Sequence, residues 1–110
     1  MTTGNRSTPL TPAETDLIQA LSARWTMHIL LALHASEGSR RFSQIQEAVA
    51  GISNRVLSSR LADLEGRGLL SRHVAATRPV TITYQLTSPG REVASALSHL
   101  REVAETCFDA

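Results

Sequence analysis

The residues best suited to chemistry lie in segment 53–67, where short polar side chains and arginine recur at helical spacing. One face of this predicted helix is slim and able to donate and accept hydrogen bonds, and it consists of Asn54, Arg55, Ser58, Ser59 and Ala62. An arginine can form two hydrogen bonds with a guanine edge. A solvated helix face more often carries glutamate–lysine pairs, and none occurs before Asp63. The segment therefore predicts a helix that enters the major groove of DNA rather than an ordinary solvated face.

No other chemistry finds support in the sequence. It contains no glycine-rich phosphate loop, no nucleophile elbow and no carboxylate pair in a plausible pocket. The four histidines are scattered and none is spaced from another as metal ligands are. Cys107 is the single cysteine, so an intramolecular disulfide is excluded, and we expect it to be a small buried residue. We therefore expect no enzyme activity, no cofactor and no metal.

Charge is distributed unevenly along the chain, although the net charge is only +1. All eleven basic residues are arginine, and seven of them fall within residues 40–81 against three acidic residues. Residues 1–39 and 82–110 are each slightly acidic, with net charges of −1 and −2. A basic middle between acidic ends is typical of a DNA-reading segment held by ends that pack or dimerise.

Two helices are predicted before this basic segment. Thr11 is a typical N-cap, Pro12 suits the first helical position and Glu14 completes a capping box. The apolar face of this helix is formed by Leu17, Ile18 and Leu21. A second helix, from near Trp25 to about Ala35, is apolar nearly all round and should form the buried centre.

The basic segment itself predicts a helix-turn-helix. Ser43 and Gln46 form a capping-box pattern that opens a short helix through Ala50, and Gly51 closes it. Ser53 caps the helix that carries the polar face. Gly68 is the expected left-handed stop.

The apolar period then changes from 3.6 to 2, which predicts two half-buried antiparallel strands over 70–76 and 80–86. The strands are joined through 77–79, and a hairpin directly after a helix-turn-helix is a wing. Thr87 caps a last helix from about Pro89. Its apolar residues recur at steps of four and three, which predicts a pairing seam of Val93, Leu97, Leu100, Ala104 and Cys107.

The predicted fold is mainly α with a small antiparallel β-hairpin, a winged helix-turn-helix with flanking N- and C-terminal dimerisation helices. Residues 1–10 are expected to be a disordered tail, and residues 11–110 a single domain. Within this domain we place the helix-turn-helix at 43–67, the wing at 69–87 and the C-terminal dimerisation helix at 89–108.

The sequence resembles the HxlR-type regulators, a MarR-like winged-helix family. The resemblance spans about residues 14–105 and is carried by Trp25-Thr26-x-x-Ile29-Leu30, Arg41-Phe42-Ser43-x-Ile45, Gly51-Ile52-Ser53-x-Arg55-Val56-Leu57-Ser58-x-Arg60-Leu61-x-x-Leu64-Glu65, Gly68-Leu69-x-x-Arg72 and Tyr84-x-Leu86-Thr87-x-x-Gly90. It implies DNA binding, a dimer and a response to small effectors or reactive species.

The sequence departs from the family pattern in three places. Family members commonly carry a cysteine just before the first helix, where this chain has Thr11-Pro12-Ala13, so thiol-based sensing at that place is not expected. The usual Gly-Gly-Lys before the tryptophan is Ser22-Ala23-Arg24, and the acidic residue before the wing tyrosine is Thr83. None of these departures falls on the predicted DNA-reading helix.

The residues expected to contact DNA lie on the helix-turn-helix and the wing, and they are Ser43, Ser53, Asn54, Arg55, Ser58, Ser59, Arg60, Arg78 and Thr81. Arg78 would enter a minor groove or bind phosphate, the alternative being an exposed loop arginine. For Arg60, a phosphate contact and an internal ion pair are both open. Arg41 and Arg72 are interpreted as structural, since they flank Phe42 and Val74, which we expect to be buried. For Arg41, a contact with the DNA backbone near the wing is also open. The expected dimerisation residues are Leu17, Leu21, Val93, Leu97, Leu100 and Ala104.

The function predicted from the sequence is a sequence-specific double-stranded DNA-binding transcriptional regulator that acts as a homodimer on a palindromic operator in the cytoplasm, without a membrane segment. Repression is the leading expectation, and activation is the open alternative. A small-molecule effector is a further expectation, and His28 could line its pocket beside Trp25 or could simply pack between helices. The alternative function is a winged-helix protein-interaction module that does not touch DNA. A second helix rich in glutamate or leucine would favour that alternative, and the face at 54–59 argues against it.

Overall fold

The computed structural model describes residues 8–36 and 38–108, so most of the predicted tail, residues 1–7, lies outside the described residues. The described chain forms five helices and a three-stranded sheet, in the order α1 (Pro12–Ser22), α2 (Thr26–Ser36), β1 (Arg40–Arg41), α3 (Phe42–Ala48), α4 (Asn54–Gly66), β2 (Leu70–Ala75), β3 (Thr81–Leu86) and α5 (Ser88–Phe108). This mainly helical fold with a small antiparallel sheet confirms the predicted fold class. None of the helices in the described ranges combines the length and apolarity needed to cross a bilayer.

Local capping chemistry sets most of the helix ends as predicted. The Thr11 hydroxyl accepts from the Glu14 N–H at 3.1 Å, while the Glu14 carboxylate accepts from the Thr11 N–H at 2.9 Å. The Ser53 hydroxyl accepts from the Val56 N–H at 3.1 Å. Beyond α4, Gly68 has φ of +78°, which permits the left-handed turn that ends the helix.

The start of α3 differs from the prediction. The helix begins at Phe42, and the Gln44 side chain accepts from the Arg41 N–H at 2.9 Å, so Ser43 and Gln46 do not form its capping box. The reason is β1, which the sequence reading did not predict. Arg40 and Arg41 pair with Tyr84 and Thr83 of β3, and the chain passes directly from the sheet into the helix. The helix also ends at Ala48 rather than Ala50.

The core is built around α2, as its composition predicted. Ile29, Leu30 and Leu33 of α2 are at most 2% exposed. They belong to one cluster with residues from every later helix, including Ile45, Leu57, Leu61, Leu64 and Leu97. Burial of each such side chain contributes about 1.5–3 kcal/mol. Met27, by contrast, is 40% exposed, so one edge of α2 is not covered within the single chain.

The wing is buried only at its base. Leu70 and Leu86 pair across the hairpin and are buried, whereas Val74 and Val80 are 55% and 59% exposed. The prediction of two half-buried strands therefore holds for β3, whose residues Thr81–Tyr84 are half-buried, and is wrong for the outer part of β2. The core cluster ends at the base of the hairpin, so the outer half extends beyond the helices that could cover it.

The predicted seam on α5 is divided between the inside and the outside of the chain. Leu97 is buried and Val93 is half-buried, and both pack against the chain's own core. Further along, Leu100 is 56% exposed, and Ala104 and Cys107 are exposed. Leu97 and Val93 thus pack within the chain itself, and their place in a dimer seam stays a prediction. The expectation of a buried Cys107 is wrong for the single chain. The reason is length: α5 has 21 residues and extends about 30 Å, so only its first half covers the core.

Candidate nucleic-acid interface

The two helices of the helix-turn-helix are joined by a turn that the core holds in place. Gly51 has φ of +95°, which a residue with a Cβ rarely adopts, and it lets the chain reverse after α3. Ile52 follows and is only 5% exposed, so it fixes the turn against the core. Ser53 then caps α4, which leaves the N-terminus of this helix directed away from the core.

The polar face of α4 is exposed, as predicted. Leu57, Leu61 and Leu64 are buried on the inner side. The opposite side presents Asn54, Arg55, Ser58, Ser59 and Ala62 to solvent. This division leaves a slim surface of hydrogen-bonding side chains on a rigid helix, which is the geometry that base reading in a major groove requires.

A contact between α3 and α4 orients Asn54. The Gln46 side-chain amide donates to the Asn54 side-chain oxygen and, at 3.4 Å, to the Ile52 carbonyl oxygen. Gln46 was interpreted as part of a capping box and instead bridges the two helices. The Asn54 amide nitrogen stays available to donate, while its oxygen is held by Gln46. A half-buried glutamine needs a polar partner, which is the reason for this contact. The contact was not predicted, because the sequence alone does not show that Gln46 is half-buried.

Two of the predicted contact serines have different surroundings. Ser53 uses its hydroxyl oxygen to cap α4, and its hydroxyl hydrogen can still be donated. Because the first N–H groups of a helix attract anions, this residue is suited to a phosphate rather than a base. Ser43 lies in the first turn of α3 and is exposed.

The wing carries exposed arginines beyond the one predicted. Arg78 is exposed at the tip, where the Thr77 hydroxyl donates to the Pro79 carbonyl at 2.7 Å and lies 3.0 Å from the Thr81 hydroxyl. These contacts close the turn and leave Thr81 half-buried. Arg72 on β2 is also exposed, because its neighbour Val74 is not buried. Its interpretation as a structural residue was wrong for this reason.

Most exposed arginines of the helix-turn-helix and the sheet have no carboxylate partner in the described chain, and Arg67 is the exception. Arg41 on β1 is exposed as well, which leaves it free to make the backbone contact that the sequence left open. Arg67 is paired with Asp63 at 3.0 Å and Asp16 at 3.7 Å. Among residues 8–36 and 38–108, no carboxylate lies within 4.0 Å of the guanidinium of Arg41, Arg55, Arg72 or Arg78. Unpaired positive charge on α4, at Arg55, and on the sheet and wing, at Arg41, Arg72 and Arg78, favours a polyanionic partner.

Residues 20–110 match the family model described as HxlR-like helix-turn-helix. The chain belongs to this family. It is 39% identical over 92 residues to the uncharacterized HTH-type transcriptional regulator YvaP of Bacillus subtilis, an alignment that covers 84% of this chain and 83% of YvaP. It is 31% identical over 90 residues to the uncharacterized HTH-type transcriptional regulator YtfH of Escherichia coli, covering 82% and 70% of the two chains.

Solved structures lead to the same family. The reduced form of the transcriptional regulator YodB from B. subtilis superimposes with a TM-score of 0.77 at 27% identity, covering 93% of this chain and 99% of YodB. The diamide-treated form of YodB superimposes with a TM-score of 0.74 at 28% identity, covering 89% of this chain and 95% of that chain. The chain is therefore a transcriptional regulator of the HxlR and MarR type with a helix-turn-helix. Because the family consists of regulators, the prediction that the chain is not an enzyme is confirmed.

In this HxlR-family chain, Arg60 holds α4 to the turn between α1 and α2. Its Nε donates to the Arg24 carbonyl oxygen at 2.7 Å, and it forms no ion pair with any carboxylate of the described chain. Arg24 in turn lies 4.9 Å above the ring of Trp25. Trp25 has φ of +78°, and its ring edge lies 3.6 Å from where a Cβ of Gly51 would be. The turn between α1 and α2 thus lies against both the helix-turn-helix bend, through Trp25 and Gly51, and α4, through Arg24 and Arg60.

Replacing Arg60 by alanine is expected to lower the free energy of unfolding by about 1–2 kcal/mol, because the hydrogen bond to Arg24 is lost. The dependence of DNA affinity on salt should be unchanged, because we expect the guanidinium of Arg60 to contact the Arg24 carbonyl oxygen and not a phosphate. Urea unfolding measures the first quantity and fluorescence anisotropy the second. Arg55→Ala is the matched control on the same helix, and its stability should equal that of the unmodified chain. Unchanged stability with a reduced salt dependence in Arg60→Ala would contradict this role.

Proposed function

We propose that this protein is a sequence-specific double-stranded DNA-binding repressor that acts as a homodimer in the cytoplasm. The observation that carries the proposal is the outward face of α4, which presents four hydrogen-bonding side chains and no acidic one between residues 54 and 62. Exposed arginines of the described chain that have no carboxylate partner accompany it on α4, the sheet and the wing. In this arrangement α4 reads base edges in the major groove. Arg78 at the wing tip contacts phosphate or an adjacent minor groove.

The division of labour follows from where each side chain lies. Arg55 is in the first turn of α4, and the first turns of a recognition helix meet the base edges. Ser53 and the N–H groups at the start of α4 bind a phosphate and fix the register of the helix. Exposed arginines of the sheet, Arg41, Arg72 and Arg78, supply sequence-independent attraction to the backbone.

Binding to genomic DNA fragments tests the proposal. If the dimer contacts about six to eight phosphates, the logarithm of the affinity should fall with the logarithm of salt concentration with a slope of about −5 to −7. Fluorescence anisotropy on fragments selected by pull-down, repeated at several salt concentrations, measures this slope. Absence of binding at low salt would contradict the proposal and favour a winged-helix module that binds protein instead.

The homodimer is supported by apolar side chains that the single chain leaves uncovered on its two end helices. Leu17 and Ile18 of α1 are 39% and 51% exposed, and Leu100 and Phe108 of α5 are 56% and 78% exposed. A contiguous exposed apolar patch marks an association surface, and we propose that these four side chains contribute to one. A two-fold dimer that reads two half-sites one turn of DNA apart needs its two α4 helices about 34 Å apart, and its operator is palindromic. A dimer that covers such a site blocks transcription when the operator overlaps a promoter, which is why we propose repression.

Leu100→Glu is expected to convert the dimer to a monomer at tens of micromolar, because a charge replaces an apolar side chain at the centre of the proposed interface. The dimer dissociation constant should rise by at least about tenfold, or 1.4 kcal/mol. Light scattering reports the mass. Val80→Glu is the matched control, since Val80 is 59% exposed but lies in the wing, away from the two end helices, and this variant should stay dimeric. A monomeric unmodified chain would contradict the proposal directly.

A further inference from the structure

The contact between Gln46 and Asn54 has a fixed polarity, because it is anchored on a backbone carbonyl. The Gln46 side-chain nitrogen lies 3.4 Å from the Ile52 carbonyl oxygen and also contacts the Asn54 side-chain oxygen. A carbonyl oxygen can only accept a hydrogen bond, so the end of the Gln46 amide that faces it is the NH₂ group. The Asn54 atom that faces the same NH₂ group is then its oxygen. The Asn54 NH₂ group, at the other end of its amide, is left to donate outward.

This chain of hydrogen bonds is attached to backbone that the fold holds in place. Ile52 is 5% exposed, and its N–H donates to the Val49 carbonyl oxygen at 3.3 Å. Asn54 is the first residue of α4, and Ser53 caps the first turn of this helix. Gln46 is half-buried, whereas Asn54 is exposed. The protein therefore sets the direction of the Asn54 amide before DNA binds, which lowers the cost of ordering this side chain on binding.

We propose that Gln46 is a positioning residue, which makes Asn54 a hydrogen-bond donor toward DNA and so selects guanine at the base that Asn54 reads. The choice of base rests on the proposed function, in which the first turn of α4 meets base edges. In the major groove guanine presents two acceptors, N7 and O6, which can take both hydrogens of the Asn54 NH₂ group. Adenine and thymine each present one acceptor, and cytosine presents only an amino group, which is a donor. Cytosine is therefore the base that Asn54 rejects most strongly.

Fluorescence anisotropy on a set of operator duplexes, with each base pair in turn at every position, tests this selection. Asn54→Ala identifies the base in question, as the position at which the preference disappears. There the unmodified chain should bind the guanine duplex at least about fivefold more tightly than the cytosine duplex. Gln46→Glu should reverse this order, because a carboxylate accepts from the Asn54 NH₂ group and turns the Asn54 oxygen toward the base.

Gln44→Glu is the matched control, since it adds the same negative charge to the same helix. A carboxylate there can still accept from the Arg41 N–H, as the Gln44 side chain does at 2.9 Å. This variant should weaken binding to all duplexes by one common factor, which separates the effect of charge from that of amide direction. Gln46→Met has a side chain of similar length that donates no hydrogen bond, so the preference should shift toward adenine, the usual partner of an asparagine. Thermal unfolding verifies that each variant keeps the fold.

NMR on the DNA-free chain tests the polarity of the contact separately from the proposed function. The side-chain NH₂ protons of Gln46 should exchange with solvent more slowly than those of Asn54, because they are the ones bonded within the protein. In Gln46→Glu the Asn54 protons should become the protected ones.

The proposal is overturned if the Gln46 protons are unprotected, if Asn54→Ala removes the preference at no position, or if Gln46→Glu leaves the order of bases unchanged. A reversal that also occurs in Gln44→Glu would overturn it as well. Protected Gln46 protons in a chain that binds no DNA would refute the proposed function, and the base selection with it, while the polarity of the contact stands. DNA binding without the guanine preference would refute the selection alone.

Discussion

Gly90→Ala is expected to cost about 3 kcal/mol or more of unfolding free energy, a large part of the 5–15 kcal/mol typical of a small domain. A Cβ at this position would lie 2.0 Å from the Leu69 carbonyl oxygen and 3.0 Å from its carbon. Both atoms are backbone, so no flexible side chain can move aside. The Leu69 oxygen also accepts from the Thr87 N–H at 3.1 Å, which ties the end of α4 to the start of α5. The same junction includes the Thr87 hydroxyl, which donates to the Gly68 carbonyl oxygen at 2.6 Å and accepts from the Gly90 N–H at 3.1 Å.

Urea unfolding of Gly90→Ala and Gly66→Ala measures this effect against a matched control. Gly66 is helical and has no atom within 4 Å of an added Cβ. Alanine there should leave stability unchanged or raise it by up to about 1 kcal/mol, because it restricts the unfolded chain and favours the helix. Similar unfolding midpoints for the two variants would show that Leu69 and Gly90 do not approach as closely as the structure places them.

Arg55→Ala and Arg78→Ala should both weaken DNA binding, but in different ways. If Arg55 forms two hydrogen bonds with a guanine, its removal costs about 1–3 kcal/mol on the operator and relaxes the preference at one base pair. If Arg78 neutralises a phosphate, its removal weakens all sequences alike and lowers the salt slope by about one per subunit. The difference follows from position, since Arg55 projects from the first turn of α4 and Arg78 from the tip of the wing.

Titration of both variants against the operator and a scrambled duplex, at several salt concentrations, distinguishes the two roles. Ser95→Ala on the exposed side of α5 is a control that should bind both duplexes as the unmodified chain does. An equal loss on both duplexes for Arg55→Ala would mean that this residue does not read sequence. Asn54, Ser58 and Ser59 would then be the next residues to replace.

Features that depend on neighbouring residues were predictable, and those that depend on distant ones were not. The caps at Thr11, Ser53 and Thr87 use groups three residues apart, and the sequence alone places them correctly. The Arg60–Arg24 hydrogen bond joins residues 36 positions apart and has no local signature. The same holds for β1, whose two residues form a strand only because β3 lies beside them.

In the candidate site too, the face that a side chain takes was predictable from the sequence, whereas its distance from the core was not. The outward face of α4 follows from helical period, so its residues were predicted together and are exposed together. Exposure of Arg72 was missed because strand alternation predicts which face a side chain takes, but not how far the hairpin extends past the core. Val74 takes the same face as the buried Leu70, yet it is 55% exposed because the core ends before it.

The two-residue strand β1 has a consequence for how the protein behaves at high concentration. It covers one side of β3 over Thr83–Tyr84, and both of its residues are arginine. A sheet edge that is short and charged resists the addition of strands from other molecules, because each added copy would bring like charges together. Strand β2, on the other edge, also carries an exposed arginine, Arg72. The residues that give the sheet its attraction for a polyanion therefore also protect it from edge-to-edge aggregation.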